Sequence, residues 1–163
     1  MSGALSSFGA KKGPIAPPQM CNSLMLPVVV FDQIYYSDRE TLIQAMRRPD
    51  KIDAEAFERA AEEVFDRIML MPDNAGATSC NRALNYLAVR YDSIYQAVAE
   101  AFARDESLTG VDARSSPLSA AREIVDVVFS FTNRHTDVVN KNFVRVDVTD
   151  EFPFLVSKWS PYL

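Results

Sequence analysis

Histidine occurs once in these 163 residues, at His135, and cysteine twice, at Cys21 and Cys80. Any imidazole chemistry would rest on a single side chain. A structural zinc site normally takes four Cys or His ligands, which three scattered residues cannot supply within one chain. Two thiols make no disulfide framework, and both read as reduced in a cytoplasm. No apolar run approaches the roughly 18 residues that cross a bilayer. The first residues also lack the apolar core of a secretory signal. Positive charge is not in excess either: the net charge is −5 and the sequence pI about 4.9. The chain as a whole therefore attracts neither nucleic acid nor an anionic membrane surface. The expectation is a cytoplasmic protein with no nucleic-acid or membrane partner.

What is present is an ordinary globular composition, 48% hydrophobic and 24% charged. Its length suits one domain with one core. Residues 1–24 are rich in Ser, Gly, Ala and Pro, with Pro14, Pro17 and Pro18 close together. So little apolar surface cannot offset the entropy of ordering, which predicts a flexible tail or linker. The expected folded part is a single domain over 25–163. It opens with the β-rich run Leu26 to Tyr36. Ser37-Asp-Arg-Glu40 has the form of a capping box and predicts a short helix through Met46. Asp53 is a good cap for a longer helix ending near Met71, with Phe57, Ala61, Val64, Phe65 and Ile68 along one stripe.

The breaker cluster Pro72 to Ser79 then separates that helix from a second one, expected over about 81–104. Leu84, Leu87, Ala88, Tyr91, Tyr95, Val98 and Phe102 line its apolar side. A weaker strand, 108–114, comes next. Two strong ones follow, with Val125, Val127, Phe129 and Phe131 on one face of the first and Val144, Val146 and Val148 on one face of the second. Helices grouped before strands predict an α+β fold, a helical hairpin packed on a small antiparallel sheet.

The candidate sites are few. His135 lies in a predicted hairpin turn, Thr132 to Thr136, where polar residues are expected anyway. Ser130 and Asp137 are near in sequence, yet proximity along the chain does not make a hydrolytic triad. Asp73-Asn-Ala-Gly76 has turn formers but no lysine or second glycine to cradle a phosphate. No cofactor, metal or catalytic residue is therefore assigned, and the chain reads as a non-enzyme. Cys80 reads as a buried, inert thiol. The segment Glu151 to Tyr162 is more suggestive, with Phe152, Phe154, Trp159 and Tyr162 interrupted by Pro153 and Pro161. Prolines favour extended backbone at a sheet edge, and aromatic residues are frequent at interfaces. Phe152, Trp159 and Tyr162 are the candidate partner-binding residues. One of Phe152 and Phe154 is expected to turn into the core.

Two strings in this sequence, Arg82-Ala-Leu-Asn-Tyr86 and Val146-Asp-Val-Thr-Asp-Glu-Phe-Pro-Phe154, resemble the C-terminal domain of cyanobactin maturation proteases of the PatA/PatG family. The resemblance runs from about Arg48 to the end. It implies a non-catalytic accessory domain in the processing of a ribosomally made peptide, binding the substrate peptide or a partner enzyme. The alternatives are an architectural homodimerisation domain or a small enzyme using His135. Nothing in the chain matches the subtilisin-like catalytic unit of those proteases. Some relatives carry paired cysteines before the first strong strand, suited to an interface metal, where this chain has Leu118 to Val125 without one.

Overall fold

The computed structural model describes residues 4–20, 23, 25–37, 39–69, 74 and 78–162. The chain divides into two compact units, Met1–Asp38 and Arg39–Leu163. In the first, β1 (Ala4–Ile15) pairs antiparallel with β2 (Pro27–Ser37). The connection holds a short 3-10 turn, Pro18–Met20, and closes with Ala16 N–H donating to the Leu26 carbonyl at 2.8 Å. Composition suggested a tail ending near residue 24, whereas the unit boundary falls at Asp38. Pro17 and Pro18 fall in the connection and Pro14 at the register shift between Lys12 and Ile15, where no ladder hydrogen bond is needed. Cys21 and the Ser37 side chain lie outside the described residues.

The second unit is α+β. Its helices are α1 (Arg39–Ala45), α2 (Ala54–Met69), α3 (Ser79–Arg90) and α4 (Ser93–Ala103). Its sheet is β3 (Glu106–Ser115), β4 (Ile124–Asn133), β5 (Val139–Asp147) and β6 (Phe154–Pro161), antiparallel in that order. Asp53 caps α2 as predicted, its carboxylate accepting from the Glu55 and Ala56 amides at 3.1 and 3.3 Å. Thr78 caps α3 through the Asn81 amide.

The periodicity that predicts one helix over 81–104 belongs to two. Arg90 ends α3, Tyr91 is its C-cap, and α4 restarts at Ser93. Ile94 and Tyr95 are thereby completely buried. The Tyr95 hydroxyl donates to the Ala88 carbonyl at 2.7 Å. Burial pushes its ionisation well above the ordinary phenol range. A buried phenol with a partner is tolerable, and the break supplies that partner.

The inner face of the sheet is the core. Val125, Val127, Phe129 and Phe131 of β4 stand beside Val144 and Val146 of β5 and Leu108 of β3, all essentially inaccessible to solvent. The alternation read from the sequence is this face. β6 completes the sheet as an outer strand, with irregular register against β5 between Phe143 and Arg145 and again between Arg145 and Val146.

Candidate functional site

The opposite face of the same sheet carries the polar side chains. Asp126 on β4 lies between Arg145 of β5 and Arg114 of β3 in the ladder. It is only 2% exposed, and Arg145 Nε donates to it at 2.9 Å. A buried carboxylate without such a partner would cost several kcal/mol. One row along, Asp147 is equally buried and accepts from Arg122 Nε and from the Thr149 amide. The Arg122 hydrogen bond holds the Asp147 carboxyl down at about 2, against the desolvation that would raise it.

Each of these arginines also lies over an aromatic ring. The Arg145 guanidinium is 4.7 Å from the Phe143 ring centre, Arg114 5.0 Å from that of Tyr162, and Arg122 5.2 Å from that of Phe154. Arg114 donates to the Tyr162 hydroxyl, and Tyr162 meets Phe143 edge-on at 5.6 Å. Each stacked pair is worth roughly 0.5–1 kcal/mol at exposed positions. Together they make a semi-rigid surface of planar cations and rings, the residue types enriched where proteins meet.

Of the residues nominated from sequence, Phe152 is 64% exposed at the approach to β6. Tyr162 belongs to the stacked face. Trp159 turns the other way: its ring lies 5.0 Å from Phe129 and 6.1 Å from Phe131, and its amide donates to the Tyr91 hydroxyl. The three do not share one surface. The expectation that Phe152 or Phe154 turns inward is not met, since Phe154 is 44% exposed as well. Asp147 sits opposite Phe154 in the ladder, which puts that ring on the outer face, and Trp159, an odd number of residues farther along β6, faces inward by the ordinary alternation of a strand.

Sequence reasoning missed Arg82. Its guanidinium donates to the main-chain carbonyls of Val148 at 2.7 Å and Glu151 at 3.1 Å, and to that of Asp150. One side chain thus fixes the turn that leads to Phe152. It also joins the two sequence strings that carry the family resemblance. Only that shared membership hinted at the contact.

His135 is exposed, with Asp105 as its carboxylate neighbour at 3.7 Å and its own amide donating to Asn133 Oδ1. The arrangement is that of a capped polar turn. Cys80 is half-buried at the start of α3, and burial, with Glu123 nearby, pushes its thiol up and away from reactive thiolate. Among the described residues no three His, Cys, Asp or Glu side chains converge as a metal would need, and no helix is long and apolar enough to cross a membrane. Of the Asp73–Gly76 breaker only Asn74 is described; its amide donates to Ile68 O and Asn85 Oδ1.

Comparison with known proteins adds identity to this geometry. A family model described as PatG C-terminal matches residues 51–162. A solved structure titled "PatG Domain of Unknown Function" superposes with a TM-score of 0.60 at 19% identity. The match covers 85% of this chain and 56% of that one, so the chain spans little more than half of its structural relative. At that identity the likeness is one of fold. No curated protein matches.

Proposed function

As the chain belongs to the PatG C-terminal family, we propose that it is a non-catalytic interaction module in the processing of a ribosomally made, cyanobactin-like peptide. Its partner is the substrate peptide or an enzyme of the same pathway. The observation that carries this reading is the helix-free sheet face, where Arg114, Arg122 and Arg145 lie over Tyr162, Phe154 and Phe143 with Phe152 exposed beside them. Arginine and aromatic side chains held in place lose little entropy on binding, which favours a contact surface. His135 and Cys80, the residues best suited to chemistry by type, sit in a polar turn and in a setting that suppresses the thiolate.

The test is capture from the native host, comparing the unaltered chain with Phe152→Ala and Tyr162→Ala. A pathway enzyme or precursor peptide recovered with the first and lost with both variants, at unchanged melting temperature, is the expected result. Undiminished recovery with both variants would remove this face from the reading.

A further inference from the structure

Between α2 and α4 lies an open cleft of about 480 Å³, lined by none of the stacked arginines and rings of the sheet face. Ile52, Ala56, Ala99 and Phe102 supply its apolar walls. Ile52 stands just before α2, Ala56 and Arg59 follow on that helix at helical spacing, and on α4 Ala99 and Phe102 do the same. The small alanines leave the space between the helices unfilled. Sites for small molecules typically occupy about 300–1,000 Å³ and combine such walls with a few fixed polar groups.

The charges at the mouth are not balanced. Glu63 also lines the cleft, but Arg67 neutralises it at 3.2 Å. Arg59 pairs with Glu55 at 3.8 Å, both highly exposed, a pairing of little strength. Arg134, at the turn after β4, has no carboxylate partner among the described residues. Instead Nε donates to Ser107 Oγ at 2.7 Å and the guanidinium lies 5.9 Å from the Phe102 ring centre. Asp105, whose main-chain carbonyl accepts from the Arg134 amide, turns its carboxylate to His135. Arg134 is thus oriented by a neutral partner and a ring, with its charge left for something else.

We infer that this cleft binds a small apolar carboxylate, its hydrocarbon or aryl part against Ile52, Ala56, Ala99 and Phe102 and its anionic head on Arg134 and Arg59. A planar guanidinium matches a carboxylate through two parallel hydrogen bonds. Two sources share this chemistry: a free small acid, or the C-terminal residue of a peptide. The inference is independent of the partner surface proposed above.

The experiment titrates the full chain with 4-phenylbutyrate, its amide, alanyl-alanyl-phenylalanine and that peptide's amide, followed by NMR. The acids should perturb signals over 52–63, 99–103 and 134, with the amides weaker by about tenfold or more, the value of a charged hydrogen bond. Arg134→Gln should cost the acids a similar factor and spare the amides, whereas Ala56→Leu, which fills the cleft, should weaken all four. If both acids bind, a chain end is a competent source; if phenylbutyrate alone binds, the ligand is a free acid. No binding at about 10 mM, equal binding of acid and amide, or perturbations confined to other surfaces would overturn the inference. The acid–amide comparison uses the unaltered chain, so it decides the matter even if a variant fails to fold.

Discussion

Trp159 and Phe129 meet with ring centres 5.0 Å apart and planes inclined by 46°, which ties the outermost strand to the middle of the core. Phe129 is fully buried, so the indole rests against a surface that cannot move aside. Trp159→Ala should therefore destabilise the fold by about 2–3 kcal/mol, below the full core value because the indole is only half-buried. Phe152→Ala should change stability by less than about 0.5 kcal/mol. Chemical denaturation of both variants checks the contrast, and equal losses would contradict it.

Arg82→Met keeps the hydrocarbon stem but removes the donors to three carbonyls. The expected cost is about 1–3 kcal/mol, with amide exchange of residues 148–152 accelerated beyond that of β4. Uniform acceleration across the sheet would mean that Arg82 supports the whole fold rather than this turn.

The Asp147–Arg122 pair predicts an acid limb in the stability profile. A carboxyl held at about 2 when folded, against 3.8 ordinarily, contributes stability that is complete above about pH 4 and lost as pH falls towards 2. In Arg122→Gln that carboxyl is buried without its cation, so the acid limb should begin at higher pH. Melting temperatures between about pH 5 and pH 2 would show it, and superimposable profiles would count against the pairing.

His135→Ala should alter stability by less than about 0.5 kcal/mol, because its acidic neighbour Asp105 is exposed and 3.7 Å away. Any loss of partner recovery with this variant would return His135 to the functional surface.

A chain starting at Arg39 should still unfold in one cooperative transition. The buried side chains of the second unit, from Ile43 to Val148, come from its own helices and strands and the connections between them. A broad, non-cooperative melt would show that the first unit contributes to that core.

The local parts of this architecture were legible in the sequence. The alternation in β4 and β5, the α2 stripe and the Asp53 cap all depend on neighbours a few residues away. The break at Tyr91 was hidden because Leu87, Tyr91, Tyr95 and Val98 keep an unbroken helical period, and only the tertiary demand to bury Tyr95 interrupts it. The stacked face was hidden for a different reason. Arg114 and Tyr162, or Arg122 and Asp147, become neighbours only through strand order and register. The irregular pairing of β5 with β6 is likewise announced by no residue type.

That irregular pairing has a consequence for how the molecule behaves in a crowd. β6 is one of the two edge strands of its sheet, with Phe154 and Val156 exposed, a combination that invites a neighbouring molecule to add its own strand. Two interruptions of the register within eight residues keep its backbone from presenting the straight row of donors and acceptors that such growth requires. Exposed Lys158 adds charge, and Pro161 withholds an amide. This edge of the sheet is thereby guarded against strand-by-strand growth while its side chains stay accessible, so a partner arriving here engages side chains rather than a ladder.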